Sequence, residues 1–166
     1  MTTITEEANI QGKPPRVGLA FLLSQTGAHA ALRFAEELNT TLNLQPHDAG
    51  ILRMLGANSG LSQRALCDLF GIFPSRLVAL LDDLETKRLV ERRDDPADRR
   101  RFSLHLTKLG RKVLAGIGRI TRALEVDLFA ALSAREQAQL QDFLSRIAVQ
   151  QNITPGVHPA YRALNK

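Results

Sequence analysis

Apolar positions recur at helical spacing over much of the chain. Between Arg16 and Leu44 no proline intervenes, and Phe21, Leu22, Ala28, Leu32, Ala35, Leu38 and Leu42 share a helical stripe. A helix of about 28 residues would be about 42 Å long. That exceeds the core of a small domain, so part of it is expected to pack on something else. Pro46 opens a second helix to about Gly56, with Ile51, Leu52 and Leu55 inward. Ala57 to Gly60 reads as a turn, and Ser62 as the cap of a short helix to about Phe70. Gly71 then breaks the chain. The next helix starts near Phe73 or Pro74 and runs to about Arg88, with Leu77, Leu80, Leu81 and Leu84 as its apolar stripe.

The period then changes to two. Leu89 to Arg93 is short and partly apolar, and Phe102, Leu104 and Leu106 alternate with Ser103 and His105. This predicts a strand with the first three on a buried face and His105 on the solvated one. Asp94-Asp95-Pro96-Ala97-Asp98 is a turn-former cluster, which makes the pair a two-stranded ribbon with a charged tip. Thr107 caps a further helix to about Ala131, striped by Val113, Ile117, Ile120, Leu124 and Leu128 near heptad spacing. Ser133-Ala134-Arg135-Glu136 is a capping box, and the last helix presents Leu140, Phe143, Leu144 and Ile147. Residues 1–15 read as a loose arm. Residues 152–166, with Pro155, Gly156 and Pro159, read as a tail.

Composition narrows the classes. With 166 residues, 44% apolar and 23% charged, the chain suits one folded domain and excludes disorder throughout. It has no Trp and one Tyr, Tyr161, which speaks against a base-stacking platform for single strands. A single cysteine, Cys67, makes neither an internal disulfide nor a cysteine zinc site, and it reads as a small buried apolar side chain. A cytoplasmic location is expected. Lys13, Arg16 and the run Val17 to Leu23 before Ala28-His29-Ala30 imitate a secretion signal. That run is too short, however, and sits behind Glu6 and Glu7. No membrane association is expected.

Charge changes the picture more. From Lys87 to Lys112 stand ten basic residues and four acids, a net +6, which leaves −1 for the rest of a chain whose total is +5. Basic charge gathered in one stretch is a footprint for a polyanion, although a charge run by itself is more often a solvated surface. No catalytic set accompanies it. There is no Gly-rich phosphate loop, no nucleophile elbow and no His-Glu-x-x-His. His29, His47, His105 and His158 show no i, i+4 pairing, so no metal and no cofactor is expected, and the chain does not read as an enzyme. Asp82, Asp83 and Glu85 read as a solvated helix face.

Helix, short helix, Gly turn, second helix and basic-tipped hairpin form the order of a winged helix-turn-helix. The fold class expected is therefore mainly α. Residues 45–106 would be the DNA-binding region, between helical regions 16–44 and 107–151. The helix beginning Phe73-Pro74-Ser75-Arg76 would present its first turn to the major groove. There Arg76 can chelate a guanine edge, worth about 1–3 kcal/mol of discrimination. Ser62, Gln63, Arg64, Pro74, Ser75 and Arg76 would line this side. The hairpin tip, Asp98-Arg99-Arg100-Arg101, can put an arginine into the minor groove.

The stretch from Leu89 to Arg101, followed by Leu106-Thr107 and preceded by Leu81-Asp82-Asp83-Leu84-Glu85, resembles the multiple-antibiotic-resistance regulator (MarR) family. The resemblance covers about residues 17 to 150. It implies a homodimeric transcriptional regulator of double-stranded DNA whose first and last helices intertwine as dimerisation helices. It also implies that Asp98 braces the hairpin and Arg100 enters the minor groove, with Arg99 and Arg101 on phosphates. An effector, small and aromatic or phenolic, would sit between the first helix, the second and the one after the hairpin. His29, Arg33, His47, Arg53 and Met54 are the residues expected there, though histidines at a packed helix junction are the plainer reading. Ala79 and Asp83 depart from the more polar or basic recognition helices of many members. The expected function is a repressor of a near-palindromic operator. The alternatives are a DNA-independent protein-interaction module and a sequence-nonspecific architectural DNA binder.

Overall fold

The computed structural model describes residues 17–95 and 98–165, and the side chains of these except 95 and 98–101. In chain order the elements are α1 (Leu19–Leu42), α2 (Pro46–Ala57), β1 (Leu61–Ser62), α3 (Gln63–Phe70) and α4 (Pro74–Thr86). There follow β2 (Val90–Asp95), β3 (Asp98–Leu106), α5 (Lys108–Leu128), α6 (Ala134–Gln150) and a 3-10 segment, Pro159–Asn165. The expected arm, residues 1–15, and the ribbon tip at 96–97 lie outside the described residues.

Local chemistry sets most boundaries. Asn43 in the left-handed region ends α1, and Pro46 stands at the start of α2. The Ser62 hydroxyl accepts from Ala65 N at 3.2 Å and Thr107 from Gly110 N at 2.9 Å, so both caps form as their residue types predict. At α6 the box is reciprocal: Ser133 caps Glu136 N, and Glu136 accepts from Ser133 N. Hydrogen bonds from Ser133 hold the Glu136 carboxyl below its usual range.

The wing is larger than a ribbon. β2 and β3 pair antiparallel from Val90↔Leu106 to Asp94↔Phe102, and β1 pairs with the other edge of β3 through Leu61↔Leu104. A two-residue strand leaves too short a pattern to read as alternation. The expected buried face is also corrected. Leu104 and Leu106 are buried, but Phe102 lies where the ribbon has left the core and is about half exposed, at 49%.

The core gathers where α2, α3, α4 and the base of the wing meet. Phe70, Leu66, Leu77, Leu81, Leu84 and Leu104 fill it, joined by Leu38 of α1 and Ile117 of α5. Three expectations shift. α1 is shorter than residues 16–44 at both ends, and of its stripe Leu38 alone is buried. α6 buries none of its residues within this chain. The tail contains structure: Pro159–Asn165 returns to the core and buries Tyr161.

Candidate nucleic-acid interface

The recognition element is built from the turn outward. Gly71 takes φ 63°, a conformation that suits glycine, and its N–H closes α3 on Cys67 O at 2.8 Å. Ile72 is buried and Phe73 exposed, and Pro74 begins α4. Leu77, Leu80, Leu81 and Leu84 bind α4 to the core, which leaves Ser75, Arg76, Val78, Ala79, Asp82 and Asp83 outward. Arg76 and Ser75 thus stand in the exposed first turn, where the positive end of the helix dipole adds to the arginine.

Ser62 spends a lone pair on its cap and is half-buried, as is Gln63. Arg64 is exposed and lies 3.7 Å from Asp68 one turn on. Asp98, Arg99, Arg100 and Arg101 belong to β3, on the strand that leads to the tip, and their side chains lie outside the described residues.

The acids of α4 have partners. Arg92 of β2 donates its backbone N–H to Glu85 Oε1 at 3.1 Å, pairs its guanidinium with Glu85, and reaches Asp82 Oδ1 at 2.8 Å. Lys87 bonds Asp83 at 2.7 Å and stands 3.8 Å from buried Asp48. The carboxylates that would repel phosphate are therefore partly neutralised, and Glu85 and Arg92 join the wing to the recognition helix. Sequence reading missed this joint, because Glu85 and Arg92 stand on different elements and a pairing across the corner between them follows from the period of neither.

His47 lies in the same neighbourhood, with Nε2 3.5 Å from Asp48 Oδ1. Burial pushes its pKa down, Asp48 opposes that, and Arg76 and Lys87 add to it. Asp48 Oδ2 accepts from Gln45 N at 2.9 Å, whereas buried Oδ1 has no hydrogen bond. His105 is half-buried, not simply solvated. Its ring bridges Ser59 Oγ and Ser103 Oγ, each at 3.0 Å. Cys67 is buried, and burial pushes its thiol up, which disfavours the reactive thiolate.

The five expected effector residues are spread over the molecule. A cavity of about 350 Å³ between α1 and α5 is lined by Arg33, Leu42, Arg119 and Ile120 among others. A second, of about 690 Å³, lies between α2, β3 and α5 and takes in Arg111, Arg119 and Arg122. His29, His47, Arg53 and Met54 line neither. His29 is exposed on α1, the Arg53 guanidinium sits 5.9 Å from the Phe34 ring centre, and Met54 is near Gly156. Arg33 pairs with Asp127. Among the described residues no group of three or more His, Cys, Asp or Glu is placed to hold a metal ion. Among them, too, no helix is long and apolar enough to cross a membrane.

This arrangement has close counterparts. The sequence profile of the MarR family matches residues 42–101, which span α2 to the wing. A proposed transcriptional regulatory protein for the hcr operon of Thauera aromatica is 35% identical over 157 residues, covering 87% of this chain and 95% of that protein. The chain belongs to the MarR family. The transcriptional regulator HosA of Escherichia coli is 33% identical over 87 residues, 52% of this chain and 64% of that protein. Among solved structures, wild-type MarR from E. coli in its apo form superposes with a TM-score of 0.70 at 21% identity, covering 81% of this chain and 98% of that one. A MarR-family protein of Mycobacterium tuberculosis in complex with p-aminosalicylic acid gives 0.64 at 25%, covering 80% and 99%. The chain is thus a MarR-family winged-helix transcriptional regulator.

Proposed function

We propose that the chain acts as a homodimer that binds a near-palindromic operator in double-stranded DNA, represses transcription there, and is released by a small aromatic or phenolic effector. The observation that carries the DNA-reading part is the outward first turn of α4, with Ser75 and Arg76 exposed and the basic wing tied beside it through Glu85 and Arg92. In this reading Arg76 contacts a base edge, Ser62, Gln63, Arg64 and Pro74 flank the groove, and Arg100 enters the minor groove. Asp98 braces the wing, and Arg99 and Arg101 touch phosphates. Two such helices related by a two-fold axis would read half-sites about 34–36 Å apart.

The second copy is supported by apolar side chains that stand exposed among the described residues. Leu19 and Leu32 of α1 are 80% and 71% exposed, and Phe143 of α6 is 52% exposed. The effector is supported by the two arginine-lined cavities and by the ligand in the M. tuberculosis relative. Arg33 remains a candidate contact from the first of these cavities.

The test is capture of random genomic fragments by the purified full chain at about 150 mM salt, a concentration at which nonspecific binding is weak, followed by sequencing. Enrichment of a short palindrome is expected. Retention with no shared sequence would replace the operator with an architectural role, and no retention would favour protein docking. On a recovered duplex, Arg76→Ala should relax preference at one base pair by about 1–3 kcal/mol. Equal loss on every sequence would refute its role as a base reader.

A further inference from the structure

The segment Pro159–Asn165 reaches the turn that sets the recognition helix. Asn165 spans that turn with its side-chain amide: Oδ1 accepts from Phe73 N at 2.8 Å, and Nδ2 donates to Gly71 O at 3.0 Å. Phe73 is the N-cap of α4 and has no side-chain cap of its own, and Pro74 brings no donor. Two backbone groups of the connection between α3 and α4 are thus satisfied by a residue 92 and 94 positions away.

The segment is anchored for this task. The Tyr161 ring stacks on Phe70, the last residue of α3, with centroids 5.2 Å apart. Its hydroxyl donates to Pro46 O, at the start of α2, at 3.0 Å. The ring occupies space that a side chain at Gly50 would take, since a Cβ there would come within 2.7 Å of the hydroxyl oxygen. Arg162 lies over Gly71, where an added Cβ would stand 3.1 Å from Nε. The segment therefore fits α2, α3 and the turn at once.

We propose that Pro159–Asn165 is a positioning strap for DNA reading, in which Asn165 fixes the start of α4 and Tyr161 holds the strap to the domain. The strap acts through backbone, not through the duplex. Ser75 and Arg76 follow Phe73 by two and three residues, so freedom at Phe73 becomes displacement of the groups that read bases. A binding constellation tolerates about 0.5 Å of such displacement. The proposal rests on the reading that α4 faces DNA.

Two readouts test it. The first is hydrogen exchange at the Phe73 amide in Asn165→Ala and Asn165→Asp, without DNA. Exchange should quicken about tenfold in Asn165→Ala, as for a locally opened turn. It should quicken less in Asn165→Asp, which keeps the acceptor for Phe73 N–H. The second is anisotropy with a duplex recovered by genomic capture and a random-sequence duplex of equal length. Asn165→Ala should cut the ratio of the two affinities about three- to tenfold while Tm moves by no more than about 2 °C. Unchanged exchange and an unchanged ratio would overturn the proposal. So would a matched loss on both duplexes with a fall in Tm, which marks a purely structural segment. If the wild type binds neither duplex, the DNA-reading function itself fails and the strap's role in it falls too. If the wild type discriminates and Asn165→Ala does so equally well, only the strap fails.

Discussion

Gly110 shows how one atom governs the joint between wing and scaffold. It is buried in the first turn of α5, and a Cβ built there would lie 2.0 Å from Leu89 O. That carbonyl already accepts from Thr107 N at 3.1 Å, and Arg88 beside it takes φ 58°. The corner from α4 into β2 therefore has no slack. In an open helix, Gly→Ala would gain about 1 kcal/mol. Here overpacking against backbone outweighs that gain, so Gly110→Ala should lose about 1–3 kcal/mol in urea unfolding. A stabilised variant would show that the corner can move aside. His47 makes the complementary point at residue scale. Its neutral form is favoured by burial, so its contribution to stability is present above pH 6.5, its ordinary pKa, and is lost as pH falls below that.

At the scale of elements, the wing is held to α4 by side chains of unequal standing. Glu85 accepts from both the backbone and the guanidinium of Arg92, and its side chain is 29% exposed. Asp82 offers one contact, at 58% exposure. Exposed ion pairs contribute little, whereas a half-buried acceptor for a backbone N–H contributes about 1–2 kcal/mol. Glu85→Ala should therefore destabilise by about 1–2 kcal/mol and Asp82→Ala by less than about 0.5 kcal/mol in denaturant melts. The reverse order would mean the wing hangs on the outer pair. Elements governed by local rules were legible in the sequence: the α4 leucine stripe, the Ser62 and Thr107 caps and the Ser133 box. Those governed by distant partners were not. β1 exists because β3 offers it an edge, Phe102 is exposed because the ribbon leaves the core, and Asn165 finds its partners across the fold. Of the residues expected around an effector, Arg33 lines the cavity between α1 and α5, whereas His29, one turn before it on α1, does not.

For the whole molecule, apolar surface is unevenly assigned. α2, α3 and α4 bury their stripes at home, while α6 leaves Phe143, Leu144 and Ile147 exposed and Leu140 only half-buried. Leu22, Leu23 and Phe21 on α1 are likewise exposed. A face of this kind is stable in water when a second copy covers it, and two-fold pairing is the commonest solution. Leu144→Asp should halve the mass seen by sedimentation while leaving the helical circular dichroism of the monomer largely intact. A dimer of unchanged mass would place the interface elsewhere. Such a monomer would present one recognition helix, so its affinity for a palindrome should drop to that of a single half-site.

The bond between Asn165 and Phe73 has a practical side for anyone preparing the protein. Anything fused directly behind Asn165 starts beside that bond, at the turn between α3 and α4. A purification handle or fluorescent fusion at that end crowds the very spot from which the recognition helix is aimed. A weak shift on a gel obtained with such a protein would report the handle.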